Sequence, residues 1–311
     1  MNERAFLVAH GQGRPAAAAH GGPVLRRGQE DHREAGWRWP RVNLGGWIGL
    51  AIVGVLVLMA IAGPMLVGDP EKQVLRDRLL PPMLFGGNAS HPLGTDQLGR
   101  DLLARVVSGA RVTLLLSATV TLFSMVAGST LGLLAGLKPG RVDGMIRFLV
   151  DVQIALPVVV VAIAAAALFT PGFLLVFFVL FSTGWVAYQR VVRLQARSLQ
   201  QSQFVEASRA IGASESWIVR HHLLPNLSGT IAVLATQQMA AVILFEAALS
   251  YLGLGMPPDA VTWGRMVADG RETMLTAWWV SVIPGVVIVL AVRGFNLIGE
   301  WFGRRRPGRA S

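Results

Sequence analysis

From Val152 to Gln189 the chain carries no charged residue. Those 38 residues would make about 57 Å of helix, nearly twice the hydrocarbon thickness of a bilayer. Such a run is too long for one crossing, and Thr170-Pro171-Gly172 is the place where it can turn. Pro157 should kink the first of the two resulting spans. Val42–Gly68 and Val112–Leu137 are also uncharged, while Leu227–Ser250 holds only Glu246 and Thr276–Ile298 only Arg293. Six apolar stretches of spanning length predict an all-α membrane protein with six transmembrane helices.

The average composition agrees, with 53% hydrophobic and 15% charged residues. Without cysteine, the chain can form no disulfide, iron–sulfur cluster or thiolate metal site. The net charge of +10 comes with no basic stripe of interleaved aromatics, so nucleic acid is not an expected partner. Its distribution points to the lipid bilayer instead. With the N-terminus inside, 19 of the 28 Lys and Arg residues fall on cytoplasmic segments and eight on outer loops. Residues 1–41 read as a disordered cytoplasmic tail and not as a cleaved leader, because the first apolar run starts too late. Residues 42–111 read as the first span plus an outer loop with an amphipathic helix. Residues 112–303 form a five-span core that includes the loop 190–225, and 304–311 a basic cytoplasmic C-terminus.

Within that loop, Glu206-Ala207-Ser208-Arg209-Ala210 favours a helix with little side-chain bulk on part of its surface. Gly212 then lets the backbone turn. Ser214 can cap a second short helix, although Trp217 stands where a capping box has Glu or Gln. Pro225 should mark the next break. Two short helices joined at a glycine make a shape that can lie in another protein's groove.

The run from Phe204 to Asn226, with Glu206-Ala207-Ser208, Gly212 and Leu224-Pro225, resembles the coupling loop of ABC importer permeases. His91-Pro92-Leu93-Gly94-Thr95-Asp96-Gln97-Leu98-Gly99-Arg100-Asp101 is similar to the entry to the second span in the dipeptide/oligopeptide/nickel branch. Leu249-Ser250-Tyr251-Leu252-Gly253-Leu254-Gly255, Pro257-Pro258, Thr262-Trp263-Gly264 and Phe295-Asn296-Leu297-Ile298-Gly299 resemble the same branch, so the likeness covers about 44–303. It implies a type I importer permease of the bacterial inner membrane, multi-pass, with both termini cytoplasmic. Implied partners are ABC ATPase subunits, a homologous permease making a heterodimer and an extracytoplasmic solute-binding protein. Glu206, Ala207, Ser208, Ala210, Gly212, Ala213, Leu224 and Pro225 would form the ATPase-docking coupling helix. Glu206 would fix that helix by local hydrogen bonds. Peptides are the implied cargo, with nickel or another small solute as the near alternative and an ion-driven secondary transporter as the distant one.

Chemistry of its own is not expected. No phosphate-cradling Gly-x-x-x-x-Gly-Lys-Ser/Thr occurs, so Mg-ATP belongs in the partner ATPase and this chain should bind no cofactor. His221 and His222 are adjacent and would point about 100° apart on a helix, a poor metal pair. Thr95 or Asp96 can cap a helix carrying Leu98, Leu102, Leu103 and Val106 on one face. Gly128, Gly132 and Gly136 suit close packing of membrane helices. Asp151 can pair with Arg147, and Arg293 can snorkel to the cytoplasmic surface. Glu246 is a possible path or gate residue near the outer face.

Overall fold

The computed structural model describes residues 44–257 and 259–304. The expected tail 1–41, the basic stretch from Arg305 onward and Pro258 lie outside them. The helices are α1 (Leu44–Leu66), α2 (Leu102–Leu137), α3 (Arg141–Ala155), α4 (Val158–Leu168), α5 (Phe173–Gln200), α6 (Gln203–Ala210), α7 (Glu215–Ile218), α8 (Leu224–Tyr251), α9 (Trp263–Gly270) and α10 (Trp279–Arg304). Among the described residues, five helical stretches are long and apolar enough to cross a bilayer: α1, α2, α5, α10 and the continuous run from α7 through α8.

The stretch expected as one span kinked at Pro157 is a bent pair of helices there, a sixth candidate crossing when its halves are taken together. α3 and α4 meet at 82°. Pro157 cannot donate a backbone hydrogen bond and drives Leu156 to an extended conformation, φ −98° and ψ 114°. The Pro157 carbonyl then accepts from Val160 and Val161 to start α4. α4 has 11 residues, about 16 Å, so it can span only together with α3. Arg141 and Arg147, ahead of the uncharged run, therefore lie on α3.

α2 and α5 pack along the glycine seam. A Cβ at Gly128 would strike the Trp185 carbonyl, one at Gly132 would lie 2.7 Å from the Gln189 carbonyl, and one at Gly136 2.8 Å from Ala196 Cβ. Backbones this close are what small residues permit in lipid, where dispersion between helices replaces the hydrophobic drive.

α2 begins earlier than its apolar run, so the boundary placed at residue 111 falls inside it. The cap is Asp101, whose Oδ1 accepts from the amides of Leu103 (2.7 Å) and Ala104 (3.2 Å). Asp96 and Thr95 are used otherwise, and Leu98 lies outside the helix. Asp96 Oδ1 closes a turn by accepting from Leu98 and Arg100, both at 2.9 Å. The Thr95 hydroxyl accepts from Leu80 N at 2.8 Å.

Residues 251–275, expected as a loop, contain α9, which packs into the bundle. Thr262 caps it by accepting from Arg265 N at 3.1 Å. Trp263 is fully buried, its indole donating to the Val106 carbonyl at 2.9 Å. Gly264 lies against the backbone of Ala247, and Gly270 against that of Val280 and Ser281, which brings α9 onto α8 and α10.

Candidate docking element between α5 and α8

α5 does not stop at Arg190 but continues to Gln200, so the connecting element is shorter than 190–225 and stands on a helical stem. α6 follows and ends in a glycine turn. Ala213 N donates to the Ser208 carbonyl and Gly212 N to the Arg209 carbonyl, both at 3.0 Å, with Gly212 at φ +85°. This crossed pair of bonds satisfies carbonyls that a helix end otherwise leaves open. Ser214 caps α7 by accepting from Trp217 N at 3.3 Å.

Pro225 does not break the chain. It sits in the first turn of α8, and one π-helical turn, Val219–Leu223, joins α7 to α8 without interruption. The Leu224 amide reaches back to the Val219 carbonyl, and Asn226 Nδ2 donates to the His222 carbonyl at 2.7 Å. An extra residue in the turn relieves the strain of a proline that cannot donate.

The element is rooted by an apolar cluster. Val205, Ile218, Leu223 and Leu227 are buried with Val192 and Ala196 of α5, and Leu133 and Leu137 of α2 pack against them. Ser208 points into this root. Its hydroxyl donates to the Phe204 carbonyl at 2.8 Å and lies 3.1 Å from His222 Nε2. His221 stacks on Trp217 and its Nδ1 lies 3.0 Å from the Trp217 carbonyl. Both histidines are thus taken up by local packing, and no trio of metal-ligating side chains gathers among the described residues.

Glu206, Ala207, Ala210 and Gly212 share the opposite, exposed side. Ala213 is half-buried against the root, while Leu224 and Pro225 are exposed at the start of α8. Glu206 makes no side-chain hydrogen bond among the described residues, so it does not fix the helix as expected. That part is taken by Arg209 and Glu215, which clasp across Gly212 at 2.8 and 3.3 Å. The Glu215 carboxylate holds the Arg209 guanidinium above its ordinary value, chiefly through these hydrogen bonds. Being exposed, the clasp adds little stability. Ile211, 85% exposed at the glycine turn, is the most exposed of the element's large apolar side chains, ahead of Leu224, Phe204 and Trp217, and the sequence reading did not single it out. Its signal was present: an isoleucine beside a helix-ending glycine has no next turn to fold back on.

Below the stem, Asp143 of α3 receives Arg193 Nη2 at 2.8 Å and Arg193 Nε in a bidentate pair. Arg147 also faces Asp143, at 3.5 Å, and not Asp151. Arg293 is exposed and lies 3.6 Å from Glu300.

At the far end of α8 Glu246 is only 1% exposed, so in this conformation it lines no open path. Its Oε1 accepts from Ser250, one turn on in α8, and from Thr262, each at 2.8 Å, and the second bond ties α8 to the start of α9. Nearby, Arg100 binds Asp96 at 2.7 Å and buried Arg105 binds Glu71 at 3.1 Å. A cavity of about 520 Å³ opens there, bordered by Arg100, Arg265, Arg271, Asp269 and Glu272.

Residues 128–306 match the family model described as binding-protein-dependent transport system inner membrane component. Residues 35–82 match that of the N-terminal TM domain of oligopeptide transport permease C. The chain is 38% identical over 267 residues to the di/tripeptide transport system permease protein DppC of Pseudomonas aeruginosa, covering 85% of this chain and 88% of the relative. It is 35% identical over 278 residues to the dipeptide transport system permease protein DppC of Bacillus subtilis, covering 89% and 85%. Among solved structures, an inward-facing form of the MetNI methionine ABC transporter superposes with a TM-score of 0.54 at 20% identity. That match covers 64% of this chain and 95% of the other.

Proposed function

This chain belongs to the family of binding-protein-dependent transport inner-membrane components, and from that membership we infer that it forms the membrane path for a peptide. It is a permease subunit of an ABC importer, in which ATP hydrolysis is the work of a separate subunit. The di- and tripeptide transport named for its relatives makes a short peptide the favoured cargo.

One observation carries the mechanism: α6 offers an exposed side of small residues while its other side is rooted among α2, α5 and α8. A partner ATPase carrying Mg-ATP would receive Ala207, Ala210 and Ile211 in a surface groove. Close approach needs the small side chains, and Ile211 supplies an apolar anchor. Displacement of α6 would then carry the rooted helices with it as packed bodies, opening the path alternately to either side. The path itself would form against a second, homologous permease. A solute-binding protein would deliver at the opposite end of α8, beside the 520 Å³ cavity. The arginine distribution supports an orientation with both termini and α6 in the cytoplasm.

The test is a pull-down of the tagged protein from mild detergent, followed by peptide uptake in reconstituted liposomes. Recovery of ATPase subunits and a second permease, with uptake that stops when ATP is withheld, is the expected result. Uptake of nickel in place of peptide would change the cargo alone. Uptake driven by an ion gradient with no ATPase present would refute the importer.

A further inference from the structure

We propose that the groove between α1 and α2 holds one phospholipid molecule, with an acyl chain along the groove and the phosphate on Arg111. The inference rests on these helices lying in a membrane and is independent of cargo. Val57, Ala60, Ile61 and Met65 form one stripe of α1, and Arg111, Leu114 and Leu115 form the facing stripe of α2. Both stripes follow helical spacing, so the groove runs along the helices instead of across them. It encloses about 460 Å³, within the roughly 300–1,000 Å³ typical of small-molecule sites.

Arg111 is the feature that selects the occupant. It is exposed and makes no ion pair among the described residues, whereas Arg105, earlier on α2, is buried and bound to Glu71. An unpaired guanidinium on an apolar helix surface is costly unless it reaches a counter-charge.

Its depth allows that reach. Gly63 of α1 lies against Val107 of α2, which sets the two helices level there. Arg111 is one turn further in, so its Cα lies about 10 Å inside the end of α1 at Leu66. Side chains on a helix lean toward its N-terminus, which for α2 is the membrane-surface end. The stem of Arg111 therefore runs up the groove and delivers the guanidinium toward the headgroup level. Its planar fork suits a phosphate.

The experiment is native mass spectrometry of the assembled transporter, titrated with dioleoyl-phosphatidylglycerol. The wild type should retain one more lipid per copy of this chain than Arg111→Gln, which should bind about fivefold more weakly at that site. Arg111→Lys, which keeps the charge and loses the fork, should bind more tightly than Arg111→Gln and more weakly than the wild type. Ala60→Trp, which fills the groove and leaves the charge, should lose the same lipid and covers the case in which Arg111→Gln fails to assemble. Glycerol phosphate, which has no chains, should not compete. Equal lipid retention in the wild type, Arg111→Gln and Ala60→Trp would overturn the proposal, as would full competition by glycerol phosphate. Cross-linking of an Arg111→Cys variant to the partner permease in native membranes would also overturn it, since protein would then cover the groove. Failure of the membrane reading would show separately, as absence of the chain from the membrane fraction.

Discussion

Asp143 and Arg193 are fifty positions apart in the chain and meet as a bidentate pair that binds α3 to α5, the stem that carries α6. The carboxylate is buried, with Arg147 and Arg197 on its flanks. Asp143→Ala leaves three guanidinium groups facing one another; the pair is part-buried, so the loss should fall below the about 3–5 kcal/mol of a fully buried pair. The expected outcome is a marked loss of thermal stability in detergent. A double-mutant cycle with Arg193→Ala should return a coupling of about 0.5–3 kcal/mol; additive losses would mean the pair is incidental.

Gly212 adopts φ +85° with open space around it, so a substitution meets backbone strain and no collision. Gly212→Asn should be well tolerated because asparagine enters this region readily. Gly212→Val should cost about 1–2 kcal/mol at the turn and tilt α6 out of place. Membrane insertion should be unchanged in both, since the bend lies outside the spans. The measurement is ATPase activity of the complex with and without peptide: Val should abolish the stimulation, and Asn should keep it. Full stimulation in the valine variant would argue against docking through α6.

The spans were legible because long uncharged runs admit few alternatives, and the glycine turn because a glycine just past a helix-favouring run is the usual occupant of a left-handed cap. Elsewhere local rules competed. Thr95, Asp96 and Asp101 can each cap a helix; the turn closed by Asp96 removes the first two from contention, and no spacing rule states that in advance. Pro225 reads as a break, yet a π-turn lets the helix run past it. α9 was hidden for another reason. Trp263, Met266 and Val267 do follow helical spacing, but eight residues with Gly264 and Gly270 among them are too short a run to separate from a loop, and most of the helix's support comes from its packing on α2, α8 and α10.

The seam between α2 and α5 predicts a contrast between glycines. Gly128→Ala would drive a methyl group into the Trp185 carbonyl, an overpacking worth about 1–3 kcal/mol. Gly144, also helical, has nothing near its would-be Cβ. Gly144→Ala should therefore leave stability unchanged or raise it by about 0.5–1 kcal/mol. Unfolding midpoints of the two variants, measured side by side in the same detergent, should move in opposite directions or differ clearly in size.

Glu246 joins α8 to α9 through Thr262, with Ser250 one turn on in α8 holding the same oxygen, and this makes a bracing role separable from a gating one. Glutamine keeps an oxygen that both hydroxyls can use, so Glu246→Gln should assemble and transport much as the wild type does. Glu246→Ala leaves two buried hydroxyl groups without their acceptor, at a cost of about 1–3 kcal/mol. Its membrane abundance and melting temperature should fall, with uptake per assembled complex far less affected. Thr262→Val should share that phenotype, because it removes the same bond together with the α9 cap, itself worth about 1 kcal/mol. The deciding measurement is labelled-peptide uptake normalised to assembled transporter. If Glu246→Gln transports as poorly as Glu246→Ala while remaining as stable as the wild type, the carboxyl group itself acts in the transport cycle and the brace is secondary.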